Sequence, residues 1–268
     1  MRKKIGFIGC GNIAKAMIAG IVEANYIPAD QIYASNRSLR NLKEIKEKYD
    51  IHITRDNRQI ANTCDIIFLT TTSDSYDPVI EEIKDCIKDD AIVILVAVGE
   101  TIAKNEKRFD KPVKMVKAMP NTPAQVGEGI TGVAVNSLIT EEDKQEICTL
   151  FESFGKVEFV DESLMDIITA VGGSSPAFTY VFIEALADGA VMHGMSRKLA
   201  YTFAAQAVLG AAKMVLETGL HPGALKDSVC SPGGTTIESI ARLEEKGLRS
   251  AVIDAIRVNM EKAKQIHG

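Results

Sequence analysis

The stretch FIGCGNIAKAMIAG, Phe7–Gly20, decides the fold of this chain. The apolar run that leads into it, Lys4–Ile8, is typical of a strand buried on both faces. Apolar residues then recur at helical spacing, at Ile13, Met17, Ile18 and Ile21. The small residues of the Gly-x-Gly-x-x-Ala pattern therefore lie on a turn that connects a strand to a helix.

A turn of this kind can bind a pyrophosphate. Gly9 makes the tight turn, Gly11 lets a pyrophosphate approach the backbone, and Ala14 keeps the helix close to the strand. The N-terminus of the helix adds free N–H groups and a partial positive charge. The alternative is a strand-turn-helix connection without a ligand, but the position and spacing of the glycines favour a dinucleotide-binding turn.

The composition is that of an ordinary globular protein. The 268 residues fit one large domain or two smaller ones, and 46% of them are hydrophobic and 25% charged. The net charge of −5 gives no electrostatic reason to expect binding to nucleic acid or to an anionic membrane. We also expect no segment that spans a bilayer, because no uninterrupted apolar run reaches about 18 residues.

The cysteines and the start of the chain bear on the compartment. Five cysteines, an odd number, are scattered along the chain and match neither a disulfide framework nor a metal site. The basic start Met1–Lys4 is not followed by a signal-peptide core, because Gly9–Asn12 interrupts it. We expect a reduced, soluble, cytoplasmic protein that holds no metal.

Strands and helices alternate in the first part of the chain. The predicted strands are Lys4–Ile8, Gln31–Ser35, Cys64–Thr70, Ala91–Val98 and Val113–Met119, with Ile130–Asn136 and Lys156–Val160 as further strands at the edge. The predicted helices include Leu39–Tyr49, Pro78–Ile87 and one that opens at a capping box, Thr140–Asp143. This alternation indicates an α/β fold with a doubly wound parallel sheet, a Rossmann-like dinucleotide-binding domain over residues 1–162.

The second part, residues 163–268, contains no strand-like run and is predicted to be an all-α domain. Helices are predicted over Leu164–His193, with interruptions at Gly172-Gly173 and Pro176, over the segment from the N-cap Ser196 to Gly219, over Thr235–Glu245 and over Leu248–Ile266. Their apolar residues surround much of the circumference, which is typical of helices buried on most sides. We therefore predict that this domain forms a dimer.

The end of the second predicted strand bears on the choice of cofactor. NAD-binding folds usually carry Asp or Glu there, which binds the ribose hydroxyls. This chain instead has Ser35-Asn36-Arg37-Ser38, in which Arg37 can pair with a 2′-phosphate. The alternative is a solvated turn that caps the next helix. We expect NADPH to be the preferred cofactor, with NADH as the second choice.

The sequence shows no obvious strong general acid. Its four histidines, His52, His193, His221 and His267, are scattered, and no nucleophile elbow or metal-ligand spacing occurs. Reduction of a carbonyl normally needs a proton donor, whereas a protonated imine needs little more than a hydride and correct positioning. The residues present therefore suit the reduction of an imine.

Two loop-like strings can form a ligand site. MPNTPAQVGEGITG, Met119–Gly132, follows the fifth predicted strand at the carboxyl edge of the sheet, where ligands bind in this architecture. CSPGGTTIESI, Cys230–Ile240, predicts a turn whose N–H groups form an anion-binding nest. The other interpretation of this turn is a rigid connection with Thr235 or Thr236 as N-cap, and the spacing alone does not decide between the two.

Four strings identify a family. They are GFIGCGNIAKAMIAG, MPNTPAQVGEG, GGSSPAFTYVFIEALADGAV and AAQAVLGAAKMVLETGLHPGALKDSVCSPGGTTIESIARLEEKG. Through them the chain resembles the pyrroline-5-carboxylate reductases over nearly its whole length. The resemblance implies hydride transfer from NAD(P)H to 1-pyrroline-5-carboxylate, which gives L-proline in the last step of proline biosynthesis. It also implies a Rossmann domain followed by a helical domain that interleaves with that of a second copy, in homodimers or larger homo-oligomers.

The resemblance also implies the positions of the site. The substrate is expected to bind at Ser231, Gly233, Gly234, Thr235 and Thr236, with Thr236 reaching the ring nitrogen as the catalytic residue. The positions expected to bind the cofactor are Gly9, Cys10, Gly11, Asn12, Ile13, Ser35, Asn36, Arg37, Asn57, Thr70, Thr71, Thr72, Val98, Gly99 and Asn121. The two groups come from different parts of the chain.

The chain departs from the family pattern in three places. The Val-Lys-Pro that touches the cofactor in the family is Thr71-Thr72-Ser73 here. The usual Ala-Gly-Val or Ala-Gly-Ile after the fourth predicted strand is Val98-Gly99-Glu100. The usual Gly-Ser-Gly-Pro-Ala is Gly173-Ser174-Ser175-Pro176-Ala177. The first two departures fall on loops expected to bind the cofactor.

Two alternative functions are weighed against the reductase. A 3-hydroxyacid dehydrogenase has a similar plan and uses a lysine on the first helix after the domain junction, but no lysine lies between Lys156 and Lys198 here. A non-catalytic paralogue that binds NADP(H) is supported only by the substituted cofactor loop. The retained Ser-Pro-Gly-Gly-Thr-Thr turn, Ser231–Thr236, speaks against it.

Overall fold

The structure is a computed structural model that describes residues 3–267. Two compact units are distinguishable, one running to Ser174 and including the residues from Met260 onward, the other comprising Ser175–Asn259. The last strand ends at Phe159, close to the predicted domain boundary at residue 162, whereas the compact units divide after Ser174. The boundary between the domains therefore stays a prediction.

The first unit contains an eight-stranded sheet. Its strands are β1 (Ile5–Ile8), β2 (Ile32–Ser35), β3 (His52–Thr54), β4 (Ile66–Leu69), β5 (Ile92–Leu95), β6 (Lys114–Met119), β7 (Gly129–Val135) and β8 (Gly155–Phe159). They lie in the order β3-β2-β1-β4-β5-β6-β7-β8, and all neighbours are parallel except the antiparallel pair β6–β7. The strand order reverses between β1 and β4, which places a crevice beyond the carboxyl ends of these two strands.

Helices cover both faces of the sheet. They are α1 (Asn12–Glu23), α2 (Leu39–Tyr49), α3 (Asn57–Thr63), α4 (Tyr76–Ile83), α5 (Ile102–Phe109), α6 (Glu141–Glu152) and α7 (Met165–Ile168), the last followed by a π-helical turn, Thr169–Ser174. One apolar cluster joins β1 and β4 through Phe7 and Phe68 to α1, α2 and α6. The other joins Ile8 and Leu69 on the opposite face to α3, α4 and α5. The predicted Rossmann-like doubly wound sheet is confirmed.

The predicted elements of this unit match the structure within a few residues, with three omissions. β3, α3 and α5 were not predicted. β3 has only three residues, the first of them exposed, at the edge of the sheet, so no buried apolar run marks it. α3 and α5 have seven and eight residues, mostly polar, which is too short for a helical apolar period to emerge. The capping box is confirmed, since Thr140 and Asp143 bond reciprocally at the start of α6.

The second unit is helical. It consists of α8 (Ser175–Met192), α9 (Arg197–Thr218), α10 (Pro222–Val229), α11 (Thr235–Glu245) and α12 (Leu248–His267), although the end of α12 is counted with the first unit. The α-helical backbone is interrupted at Gly172-Gly173 as expected, and the interruption takes the form of the π-helical turn between α7 and α8. Pro176 is the second residue of α8 and directly follows this π-helical turn. α10 was not predicted.

The long helices of this unit leave a wide apolar surface uncovered. α8 and α9 pack against each other, yet large side chains on both remain exposed, among them Val181 at 65% and Phe203 at 63%. Only Ala187 on α8 and Ala200 and Ala204 on α9 are buried. Exposed apolar area on this scale is typical of an interaction surface.

By length and composition alone, α9 is apolar enough to cross a bilayer, and only 11% of the apolar segment is buried within the structure. The helix contains no long uninterrupted apolar run, because it mixes alanines and larger apolar residues with scattered polar ones. The expectation that no segment spans a bilayer stays a prediction. Among the described residues, no other helix passes the same test.

The turn after β1 is held in close contact with the chain that follows β4. Gly9 adopts a φ of +100°, and a Cβ there would lie 2.8 Å from the carbonyl carbon of Thr70. A Cβ at Gly11, by contrast, would meet no described atom within 4 Å. Gly9 is therefore required by packing and conformation, whereas Gly11 borders open space.

Gly9→Ala is expected to lower the free energy of unfolding by about 2–3 kcal/mol, because both the positive φ and the contact with Thr70 oppose a Cβ. Gly11→Ala is the matched control and should change stability by less than about 0.5 kcal/mol. Urea denaturation followed by circular dichroism measures both. Equal stability of the two variants would contradict this account of the turn.

Candidate functional site

A cavity of about 470 Å³ lies where the carboxyl ends of β1, β2 and β4 meet. The predicted cofactor positions that line it are Gly9, Cys10, Gly11, Asn36, Arg37, Asn57, Thr70, Thr71 and Thr72. Because these strands are parallel, residues distant in sequence reach the same edge of the sheet. The structure therefore brings most of the predicted cofactor residues together.

The N-terminus of α1 borders this cavity and can bind an anion. Its N-cap is Gly11, no side chain in the described part of the chain caps it, and its first turn carries no acidic residue. Asn12 and Ile13 begin the helix; Asn12 is exposed, while the Ile13 side chain packs against the core. The free N–H groups and the helix dipole make this end suitable for a phosphate.

Threonines after β4 form another wall. The Thr70 hydroxyl donates to the carbonyl oxygens of Ile8 and Gly9, at 3.1 and 2.8 Å, which ties the loop after β4 to the turn after β1. The Thr71 hydroxyl is buried and has no hydrogen-bond partner within residues 3–267. Since a buried polar atom without a partner is costly, this hydroxyl is suited to bonding a ligand in the cavity.

Two arginines line the cavity without a counter-ion. Neither Arg37 nor Arg55 makes an ion pair or a side-chain hydrogen bond with any described residue. The nearby Glu82 carboxylate accepts a hydrogen bond from Asn57, which in turn accepts one from buried Ser35, each at 2.7 Å. The guanidinium groups are therefore available to a strongly anionic group such as a phosphate monoester.

Arg55 was missed by the sequence analysis. It directly follows β3, the strand that was not predicted, and the parallel pairing of β2 with β3 brings it to the same edge as Arg37. The only available signal was the short string His52–Asn57, which combines β-branched residues with a following Asp-Asn turn.

A second cavity, of about 530 Å³, lies beside the loop after β5. Val98 and Gly99 line it, as do Glu100 and the buried Lys117 of β6. The Lys117 ammonium donates to the carbonyl oxygen of Ala97, and burial lowers the pKa of this lysine to about 8. The loop that carries Val98 and Gly99 is thus anchored from the neighbouring strand.

Asn121 follows β6, and both ends of its side-chain amide bond the protein backbone. Its amide nitrogen donates to the carbonyl oxygen of Gly172 at 3.0 Å, and its amide oxygen accepts from the Ile130 backbone at 3.0 Å. The side chain is buried and lines neither of the two cavities. Asn121 therefore braces the loop after β6, and its side chain is already occupied.

The turn between α10 and α11 forms the other predicted site. Its N-cap is Gly234, so the interpretation of Thr235 or Thr236 as N-cap is wrong. Gly233 has a φ of +67°, and a Cβ at Gly234 would lie 2.4 Å from the Ser231 hydroxyl oxygen. These two glycines allow a tight turn that leaves the first N–H groups of α11 without a side-chain cap.

Thr235 and Thr236 are the first two residues of α11. Thr235 is exposed and Thr236 half-buried, and the Thr236 hydroxyl has no hydrogen-bond partner among the described residues. His221 is occupied as the N-cap of α10, where its Nδ1 accepts from the Gly223 N–H at 3.0 Å. Within residues 3–267 no cluster of three acidic, histidine or cysteine side chains could hold a metal ion.

The doubly wound sheet and the cavity at its strand-order reversal define a Rossmann-type dinucleotide-binding protein. Residues 4–99 match the family described as NADP oxidoreductase coenzyme F420-dependent. Residues 162–266 match the family described as Pyrroline-5-carboxylate reductase dimerisation.

Full-length relatives narrow the class. The chain is 44% identical to the pyrroline-5-carboxylate reductase of Escherichia coli, over 99% of both chains, and 41% identical to that of Methanosarcina acetivorans, over 98% of both. The crystal structure of Plasmodium falciparum pyrroline carboxylate reductase with NADP bound superposes with a TM-score of 0.91 at 31% identity, covering 100% of this chain and 99% of that one. The chain belongs to the pyrroline-5-carboxylate reductase family.

Proposed function

We propose that this protein reduces 1-pyrroline-5-carboxylate to L-proline with NADPH as hydride donor. The observation that carries the proposal is the cavity at the carboxyl edge of the sheet, lined by an uncapped helix N-terminus and two unpaired arginines, in a chain of this family. NADPH carries a pyrophosphate and a 2′-phosphate, and the cavity offers a separate group for each.

The predicted cofactor residues take distinct roles in this proposal. The N-terminus of α1 binds the pyrophosphate, to which Gly11 allows close approach. Arg37 and Arg55 bind the 2′-phosphate. The Thr71 hydroxyl, which has no partner among the described residues, donates a hydrogen bond to the cofactor. Val98 and Gly99 lie beside the next strand end along the sheet and support the nicotinamide.

The turn between α10 and α11 binds the substrate carboxylate in this proposal. The N–H groups that follow Ser231 form the nest, which Gly233 and Gly234 keep tight. Thr236 orients the ring nitrogen through its unpartnered hydroxyl. NADPH supplies the hydride for the C=N carbon, and because the imine is already protonated the chain needs no strong general acid.

The direct test is a spectrophotometric assay of NADPH oxidation by the purified protein with 1-pyrroline-5-carboxylate. Oxidation that depends on this substrate, with L-proline formed in equal amount, is the expected result. Oxidation with 3-hydroxyacid-related substrates alone would favour the dehydrogenase alternative. NADPH binding without turnover on any of them would favour a non-catalytic paralogue.

Arg37→Ala and Arg55→Ala are each expected to weaken NADPH binding by about 1.5–3 kcal/mol, the value of one charge-assisted phosphate pair, and to change NADH binding little. Arg58→Ala is the matched control, because Arg58 lies three residues after Arg55 but bonds the Glu82 carbonyl and does not line the cavity. Calorimetric titration with both cofactors measures the effect. Equal losses for NADPH and NADH would reject the 2′-phosphate assignment.

Thr236→Ala is expected to lower kcat/KM by roughly 10- to 100-fold, about 1–3 kcal/mol of transition-state stabilisation. Because Gly234 is the N-cap, the melting temperature should hardly change, and Thr236→Ser should retain most activity. Steady-state kinetics and differential scanning fluorimetry on both variants give the answer. Unimpaired turnover in Thr236→Ala would reject the catalytic role.

We further propose that residues 163–268 form the substrate and dimerisation domain of a homodimer or a larger homo-oligomer in the cytoplasm. The match of residues 162–266 to a dimerisation family and the exposed apolar faces of α8 and α9 support this. In the proposed dimer these faces are covered by a second copy, which accounts for the apolar α9 without a membrane.

The purified protein is expected to sediment as a dimer or larger species at micromolar concentration, with an interface above roughly 2,000 Å². Phe203→Glu should weaken this assembly, because Phe203 is 63% exposed on α9. Leu39→Glu is the matched control, since Leu39 is 46% exposed on α2 of the other unit. A stable folded monomer of the unaltered protein, or its recovery only with membranes, would refute the proposal.

A further inference from the structure

A buried carboxylate lies at the end of the loop that follows β5. The Glu100 side chain is 0% exposed, yet it is fully bonded: it accepts from the Ser73 hydroxyl, from the Asn105 amide at 2.9 Å and from Arg108. Burial opposes its ionisation, but the hydrogen bonds from Ser73 and Asn105 and the charge of Arg108 outweigh burial and lower the pKa of Glu100. The carboxylate is therefore charged in the folded protein.

The bond between Ser73 and Glu100 joins two loops. Ser73 directly follows Thr71 and Thr72, which line the first cavity, and Glu100 directly follows Val98 and Gly99, which line the second. The side-chain bond thus ties together the outer parts of the loops after β4 and β5.

Tyr76 ties the same loops together at their bases. Its buried hydroxyl donates to the carbonyl oxygen of Leu69 at 2.7 Å and accepts from the Val96 and Ala97 N–H groups at 3.1 Å each. Two polar links therefore join the loops after β4 and β5. The Tyr76 hydroxyl connects them at the strand ends, and the Ser73–Glu100 hydrogen bond connects them farther along both loops.

Helices α4 and α5 hold Glu100 in place. Arg108 of α5 binds Glu100 and also pairs with Asp77 of α4 at 2.5 Å, while its Nη1 donates to the amide oxygen of Asn105 at 2.9 Å. Asn105 in turn bonds the Thr101 carbonyl oxygen at 2.8 Å. The acceptor of the Ser73 hydrogen bond is consequently fixed by two helices and not by the loop alone.

We propose that Glu100 is a positioning residue for the cofactor: by holding Ser73, it keeps the loop after β4 and the loop after β5 in the conformation that binds NADPH. The inference rests on the proposed function only for the identity of the ligand. The carboxylate acts through Ser73 and through its own backbone, which continues from Gly99, and it does not touch the reacting atoms.

Ser73→Ala tests the link with the least disturbance, because it removes one hydroxyl from a half-buried position. The expected result is a dissociation constant for NADPH raised about 2- to 10-fold, the factor for one net hydrogen bond, with kcat at saturating NADPH changed less. Lys104→Ala is the matched control: Lys104 also bonds Glu100, at 3.2 Å, but its side chain is 48% exposed and lies outside the link between the loops. It should leave NADPH binding unchanged.

Binding is measured by fluorescence titration without substrate, so a protein that binds NADPH but fails to reduce the imine contradicts the proposed function and not this inference. Hydrogen exchange of the unliganded protein supplies a second readout, with faster exchange expected over residues 96–101 in Ser73→Ala. In a double-mutant cycle, Ser73→Ala should cost little once Glu100→Ala is present, because alanine offers the Ser73 hydroxyl no acceptor. Wild-type NADPH affinity in Ser73→Ala, or full additivity in the cycle, would overturn the proposal.

Discussion

The contact between the backbone of Gly9 and that of Thr70 is the constraint on which the nucleotide site depends. It brings the turn after β1 against the loop after β4, and the Gly9 N–H also bonds the carbonyl oxygen of Ser35 at 2.9 Å. Three strand ends that are far apart in sequence are thereby joined at one point. A side chain at Gly9 would push these strand ends apart and disrupt the cavity that they border.

The electrostatics of this edge follow from which groups are paired. Glu82, Glu100 and Asp77 each have a polar partner, and Lys117 is held by a backbone carbonyl. Arg37 and Arg55, which line the first cavity, in contrast have no side-chain partner within residues 3–267. A site whose guanidinium groups have no counter-ion is suited to a ligand with several phosphate charges.

The helical unit presents a different physical problem. Two of its long helices, α8 and α9, bury only a few small residues in the single chain, while Val181, Phe203 and other large side chains are exposed. Burying such a surface is favourable wherever it finds an apolar partner. An apolar helix such as α9 can be covered by a bilayer or by another protein surface, because both favour contact with apolar side chains.

Much of the fold was predictable because its signals are local. The Gly-x-Gly-x-x-Ala turn, the buried apolar strands and the ends of α9 and α11 each depend on residues within one short stretch. The short edge strand β3 escaped prediction because it owes its existence to pairing with β2, and a strand of three residues carries almost no pattern of its own.

The residues of the candidate site were likewise predictable only in part from the sequence. The sequence by itself located the glycine turn, Arg37 and the Ser231–Thr236 turn, since each is a contiguous stretch of the chain. Only the tertiary structure decided that Arg55 joins Arg37, that Asn121 is occupied and that Ser73 meets Glu100. Those contacts link residues from different strands and loops, and parallel pairing, which places successive strand ends at one edge, is what brings them within bonding distance.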